Sequence, residues 1–279
     1  MRDELQKKVD RAIRLLKQAQ TAYPDEIIEV SYSGGKDSDV ILELAKMAGI
    51  RYEAIYKNTT IDPPGTIRHA EEMGARILRP KMSFIQLVEK KGYPTRRARF
   101  CCEYLKEYKV RDVAVQGIRR SESSARAKRY TEPQICRVYR NKSERVKVFL
   151  PILDWTDIDV EEFIKERNIK CAPVYYDEHG VFHVERRLGC ICCPLASDNG
   201  LSDFKKYPKM VKVLAAAAAE HFLTAHPQSS CRTKFKDQYE LFVHNVFFDS
   251  YQEFQEAIHG MFGDVDCKKF LENYFNIKL

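Results

Sequence analysis

Residues 26–49 read EIIEVSYSGGKDSDVILELAKMAG: a short β-branched run, a glycine-bearing hexapeptide, then an apolar helical pattern. The first part, 26–32, predicts a buried strand, and 39–49 predicts a helix stopped by a glycine. Between them stands Ser33-Gly34-Gly35-Lys36-Asp37-Ser38. Two glycines let the backbone approach an anion and turn its N–H groups inward, and the following helix offers its positive N-terminal end to the same place. Lys36 adds a full charge, and the hydroxyls of Ser33 and Ser38 can donate hydrogen bonds. Asp37 would repel a phosphate unless a metal ion lies between them, which implies Mg²⁺. For a bare Ser-Gly-Gly, a capped turn without ligand would be the better reading. The full hexapeptide at a strand-to-helix junction favours the anion site. Its glycines stand closer together than those of a Walker loop.

The alternation continues downstream. YEAIYK (52–57), ARILRP (75–80), DVAVQGI (112–118) and VKVFLPI (146–152) predict further strands, and 64–74 and 84–92 predict helices ended by Gly74 and Gly92. Upstream, Leu5, Val9, Ala12, Ile13 and Leu16 share one face of an amphipathic lead-in helix. Strands alternating with helices imply βαβ units, a parallel sheet and right-handed crossovers. Ligands of such sheets sit at the carboxyl ends of the strands, so the loops after strands one, two and four are where chemistry is expected. Beyond residue 157 the alternation stops, and 157–169, 209–226, 238–248 and 251–262 read as helices. The expected division is 1–199 as a nucleotide-binding domain and 200–279 as a helical appendage.

The 279 residues, 44% hydrophobic and 31% charged, can build a sizeable core under a hydrated surface. No apolar run approaches the roughly 20 residues of a bilayer span. The first twenty residues are charged and lack the apolar stretch of a secretory signal, so the cytoplasm, with no membrane partner, is the expectation. A net charge of +7 suits a nucleotide or nucleic acid without choosing between them. Nine cysteines without an export signal point to metal binding or catalysis rather than disulfides.

Cys101 and Cys102 are adjacent, and Gly189-Cys190-Ile191-Cys192-Cys193-Pro194 contains a C-x-x-C pair, Cys190 and Cys193. Four thiolates in two close pairs can hold a [4Fe–4S] cluster or a structural Zn²⁺, and a tandem Cys-Cys suits zinc poorly. Cys192 rivals Cys193 as the fourth ligand. Cys136, Cys171, Cys231 and Cys267 stand alone and read as core or idle thiols. Arg96, Arg97 and Arg99 precede the first pair, and Arg186 and Arg187 precede the second. Arg119, Arg120 and Arg126 follow the fourth strand at the ligand end of the sheet, where guanidinium forks suit phosphate or sulfate.

The hexapeptide resembles the signature of the PP-loop ATP pyrophosphatases, which have an adenine nucleotide α-hydrolase-like α/β fold and cleave ATP between the α- and β-phosphates. The resemblance implies that Ser33 to Ser38 hold the pyrophosphate end of ATP with Mg²⁺. It also places Asn58-Thr59-Thr60 near the adenosine. The cysteine pattern resembles the phosphoadenosine phosphosulfate reductase family, also called sulfonucleotide reductases. Their adenylyl-sulfate branch holds a [4Fe–4S] cluster through the same Cys-Cys and C-x-x-C, which implies Cys101, Cys102, Cys190 and Cys193 here. Gly117-Ile118-Arg119-Arg120-Ser121 with Ser124-Ala125-Arg126-Ala127, Pro151 to Trp155, Asp159-Val160 and Pro173-Val174-Tyr175 extend the likeness over about 26–196. Gly117, Arg119, Arg120 and Arg126 thus join the expected nucleotide site, with Lys36, Asp37 and Arg119 as its catalytic candidates.

Two departures separate the chain from those reductases. Its first loop keeps the complete pyrophosphatase signature, and it lacks the Glu-Cys-Gly-Leu-His tail that carries their nucleophile. Cys267, in Asp264-Val265-Asp266-Cys267-Lys268, is the nearest counterpart. The first expectation is therefore ATP-dependent sulfur transfer to a nucleic-acid or small-molecule acceptor, with a sulfur donor protein as a further partner. Sulfite-forming sulfonucleotide reduction is the alternative, and a non-catalytic nucleotide- or nucleic-acid-binding subunit the second. Oligomeric state is open.

Overall fold

The computed structural model describes residues 2–139, 145–260 and 264–279. The chain divides into two compact units, one of residues 2–58, 62–79 and 106–188, the other of 59–61, 80–105 and 189–279. This division is interleaved, unlike the single boundary at 199/200 expected from the sequence. The apolar faces of segments 80–105 and 189–199 belong to the core of the later helices.

The first unit is built on six described strands: β1 (Ile28–Tyr32), β2 (Tyr52–Lys57), β3 (Arg76–Leu78), β4 (Val113–Val115), β5 (Gln134–Arg137) and β6 (Val146–Phe149). They lie in the order β3-β2-β1-β4-β6-β5. All neighbours are parallel except β5, which runs antiparallel to β6. Strand β5 was not read from the sequence. It is a four-residue edge strand of alternating exposure, QICR, with no long apolar run to mark it. The fifth strand expected at 146–152 is β6.

Helices α1 (Asp3–Ala22), α2 (Lys36–Ala48), α3 (Thr66–Glu72), α6 (Ser124–Arg129) and α7 (Asp157–Glu166) complete this unit. Leu5, Val9, Ala12 and Leu16 of α1 are buried in one cluster with Val40, Ile41 and Leu44 of α2, Ile28 and Val30 of β1, and Phe163 of α7. Such a core supplies most of the folding free energy, at roughly 25 cal/mol per Å² of apolar surface removed from water. Buried Asp159 of α7 takes Lys8 of α1 at 2.7 Å and Arg2 at 3.1 Å, fastening the first helix to the unit.

The second unit is helical: α4 (Phe84–Lys91), α5 (Phe100–Leu105), α8 (Leu201–Lys206), α9 (Pro208–Thr224), α10 (Ser230–Lys234), α11 (Gln238–Phe247), α12 (Tyr251–Ile258) and α13 (Cys267–Phe275). Phe84, Leu87, Val211, Leu214, Phe242, Phe254 and Leu271 form its core. The helix expected at 251–262 ends at Ile258, and residues 261 and 262 lie outside those described. No helix among the described residues is long and apolar enough to cross a membrane.

Candidate functional site

The loop Ser33–Ser38 leaves the carboxyl end of β1 and opens α2. Gly34 has φ +76°, in the left-handed region, and a Cβ there would lie 2.8 Å from Thr66 Cγ2. Only glycine therefore lets α3 close on the loop. Gly35 caps α2 without a side chain. Its carbonyl accepts from the Ser38 N–H at 2.8 Å, the Asp39 N–H at 3.0 Å and Ser38 Oγ at 2.6 Å, which fixes the first helical turn. Lys36 is buried, with Nζ 3.4 Å from the Arg186 carbonyl, 3.7 Å from Asp37 Oδ2 and 5.3 Å from the centre of the Tyr175 ring.

The loop forms one wall of a cavity of about 270 Å³ within the first unit, at the end of the sheet where such folds bind ligands. Of the residues expected at a nucleotide, Ser33, Gly35, Lys36, Asp37, Ser38, Gly117, Arg119 and Arg126 line it. Gly117 follows β4 so closely that a Cβ would stand 2.8 Å from the Asp37 carbonyl oxygen. Arg119 is 2% exposed and donates through Nε to Asp37 at 2.7 Å, through Nη2 to Asp157 at 2.8 Å and through Nη1 to Ser121 Oγ at 3.1 Å. Burial opposes its charge, but Asp37 and Asp157 outweigh that and hold the guanidinium above its ordinary value.

Four expected residues do not line the cavity: Gly34, which packs within the loop against Thr66, and three that lie elsewhere. Arg120 donates to the Tyr130 carbonyl at 2.8 Å and pairs with Asp154, and it does not line the cavity. Asn58 is buried at the end of β2, its N–H donating to the Leu78 carbonyl at 2.9 Å. Thr59 belongs to the second unit, where its Oγ1 accepts from Cys190 Sγ at 3.5 Å.

The cavity also contains groups that sequence reasoning did not assign. Its cations are Lys36, Arg119, Arg126 and Arg187. Its carboxylates are Asp37, Glu122, Asp157 and Glu185, equal to the cations in number. Glu122 pairs with Arg126 and, at 3.5 Å, with Arg187, while Glu185 pairs with His183 at 3.0 Å. Asp157 had a faint sequence signal as an acid in the first turn of a predicted helix. Glu122 and Glu185 had none.

Beneath the loop, Asp39 is wholly buried between His69, whose Nε2 lies 3.0 Å from Oδ1, and the donating Tyr32 hydroxyl. Burial raises the Asp39 carboxyl, and the hydrogen bonds to His69 and Tyr32 work against that rise.

In the second unit, Cys101 and Cys192 are buried, and Cys102, Cys190 and Cys193 are half-buried. A hydrogen bond with Cys102 pushes the Cys101 thiol up, burial adds to this, and the charges of Cys102, Cys193 and Cys190 add again. Cys102, Cys193 and Cys190 are thus electrostatic neighbours of Cys101, and Cys193 acts in turn on Cys192. Cys192 takes a positive φ of 56° and is 0% exposed. Its N–H donates to Asp203 Oδ2 at 2.9 Å and its carbonyl accepts from the Tyr93 hydroxyl at 2.5 Å. Arg96 clamps the following turn, donating to the Ala196 carbonyl at 2.5 Å and Asn199 Oδ1 at 2.6 Å. Among the described residues no three His, Cys, Asp or Glu side chains enclose a single metal ion. Cys267 is 4% exposed, its thiol pushed up to about 12 by burial and by Glu240, Asp237 and Asp266.

The family model of the phosphoadenosine phosphosulfate reductase domain matches residues 27–196, which carry both the loop and the four cysteines. The chain belongs to this family. An uncharacterised protein of Methanocaldococcus jannaschii is 32% identical over 203 residues, covering 66% of this chain and 45% of the relative. A 37.8 kDa uncharacterised protein of Escherichia phage 186 is 32% identical over 155 residues, 50% of this chain and 43% of its own. The chain therefore spans less than half the length of these two relatives. Sulfate adenylyltransferase subunit 2 of Shewanella pealeana is 24% identical over 206 residues, 62% of this chain and 67% of its own. A solved phosphoadenylyl-sulfate reductase of Candida auris, in a phosphate complex, superposes with a TM-score of 0.46 and 14% identity over 68% of this chain and 96% of its own.

Proposed function

We propose that the chain is an ATP-dependent, AMP- and pyrophosphate-forming sulfur-transfer enzyme of this family. The observation that carries the reading is the complete Ser33–Ser38 loop, folded as the wall of a cavity that also holds Arg119, Arg126 and Arg187. An acceptor oxygen attacks the α-phosphorus of ATP. The bond from that phosphorus to the bridging oxygen breaks, and pyrophosphate leaves with the electron pair. A sulfur nucleophile then displaces AMP from the adenylated acceptor. Lys36 and the N-terminal end of α2 stabilise the charge gathering on pyrophosphate. Because cavity cations and carboxylates balance, a polyphosphate enters best with its own counter-ion, which supports Mg·ATP as the bound form.

Cys101, Cys102, Cys190 and Cys193 are the ligands we assign to a [4Fe–4S] cluster. The electrostatic closeness of Cys102, Cys190 and Cys193 to Cys101 supports the assignment, since a cluster takes each thiolate on a separate iron. Bound there, the cluster supplies or relays sulfur. The apolar setting and fixed backbone of Cys192 support Cys193 as the fourth ligand.

The family match itself favours a second reading, reduction of a sulfonucleotide to sulfite. Against it stands the buried Cys267, whose raised pKa makes a poor nucleophile. Chromatography of the nucleotide products separates the two. Mg·ATP should yield AMP and pyrophosphate, and Lys36→Ala should abolish this while the protein keeps its iron. Formation of ADP and orthophosphate, or rapid sulfite release from adenylyl sulfate with thioredoxin, would overturn the first reading.

A further inference from the structure

We propose that Asp157 is an internal counter-anion that competes with substrate phosphate for Arg119 and so sets the anion affinity of the cavity. The inference rests on the reading of this cavity as a polyphosphate site. Arg119 is almost wholly buried and always charged, so it requires anionic partners whether or not a ligand is present. It has two, on different elements: Asp37 in the loop at 2.7 Å and Asp157 at the start of α7 at 2.8 Å. Nε and Nη2 lie on one edge of the guanidinium, the edge that otherwise receives both oxygens of a single carboxylate or phosphate. Two separate carboxylates occupy it here.

The two differ in how easily they leave. Asp37 is 19% exposed and has Lys36 as a second cation at 3.7 Å, so it is held from both sides. Asp157 is 54% exposed and pairs with Arg119 alone among the described ion pairs. Released into water, it regains hydration at little cost, and its helix keeps the Thr156 cap, whose Oγ1 accepts from the Asp159 N–H. An arriving phosphate therefore takes Nη2 from Asp157 and leaves the bond to Asp37 in place. The exchange keeps the buried guanidinium neutralised at every stage and makes anion binding reversible, as release of pyrophosphate requires.

The test is calorimetric titration of inorganic pyrophosphate into the whole protein. Asp157→Asn should bind about tenfold more tightly than wild type, the low end of what a close charge pair couples. Thermal unfolding should change little, and Asp157→Ser should repeat the result if Asp157→Asn folds poorly. Glu161→Gln removes a carboxylate of the same helix that lies outside the cavity, paired with Lys165, and should change affinity by no more than about twofold, as a screened surface charge does. On an Arg119→Ala background the Asp157→Asn effect should vanish. A residue with a merely structural role would weaken binding when replaced. Equal or weaker binding by Asp157→Asn, with wild type binding normally, overturns the proposal and spares the polyphosphate reading. Absence of pyrophosphate binding in both proteins removes the reading and the proposal together.

Discussion

Gly117→Ala tests whether the approach of β4 to the phosphate loop is needed for ligand binding. The φ of Gly117 is not among the positive values, so an alanine backbone is acceptable there and steric contact is the whole effect. The added Cβ would meet the Asp37 carbonyl oxygen at 2.8 Å, its carbonyl carbon at 3.0 Å and its Cβ at 3.3 Å. These are mostly backbone atoms of the first turn of α2, tied down by the N–H bonds of Ser38 and Asp39 to Gly35. They cannot swing aside like a side-chain tip. Relief requires the strand exit and the loop to part by roughly half an ångström, an overpacking that costs about 1–3 kcal/mol. Because Arg119 lies two residues on and grips Asp37, the strain also misplaces the binding groups. A shift near 1 Å at a reacting centre costs on the order of 10² in rate. The expected result is a thermal unfolding midpoint lowered by several degrees and affinity for a non-hydrolysable ATP analogue reduced at least about tenfold. Gly49→Ala is the control: unlike Gly117, Gly49 has a positive φ, +64°, and nothing lies within 4 Å of its Cβ position, so it should lose stability and keep affinity. Wild-type affinity in a folded Gly117→Ala protein would refute the argument.

Further outcomes follow from the other sites. Anaerobically purified protein should be brown with about four irons per chain, lost in Cys101→Ser or Cys190→Ser and kept in Cys192→Ser. A colourless protein with one zinc would refute the cluster. Cys267→Ser should leave the principal activity within about twofold, since a buried thiol held near 12 carries little thiolate at neutral pH; loss of activity with an unchanged unfolding curve would contradict this. His183 is raised above its ordinary 6.5 by hydrogen bonds to Asp177 and Glu185, and those two carboxyls are lowered from 3.8 and 4.5. The imidazolium contribution is fully present below 6.5 and lost as pH rises through the elevated value. The carboxylate contribution is present above their ordinary values and lost as pH falls through the depressed ones. Hydrogen exchange in residues 177–187 should therefore be slowest, after correction for intrinsic rates, between about pH 5 and 6.5, and His183→Ala should erase that minimum.

Much of this molecule could be read along the chain because the governing interactions are local. The bounds of β2 match those expected, and α4 differs only in its terminal glycine, since alternation, helical period and a glycine stop each act over a few residues. The Ser33–Ser38 loop was legible for the same reason: its glycines, lysine and helix start are neighbours in sequence. Helix α2 nevertheless begins three residues before the expected Asp39, at Lys36, because Gly35 serves as its cap. Distant partners were not legible. Arg119 meets Asp37 across 82 positions and Asp157 across 38, and no periodicity encodes which buried cation a given carboxylate will find. The same holds for Arg120, read with Arg119 as one basic group but bonded instead to the turn at Tyr130. Cys192 and Cys193 are equivalent as letters. A positive φ, the Asp203 carboxylate and the Tyr93 hydroxyl turn one of them into the apolar core, and those three constraints come from different parts of the chain. The interleaving of the two units has the same origin. An amphipathic helix such as α4 shows that it has a face to bury, but shape and packing choose the surface, here α9, more than a hundred residues away in sequence.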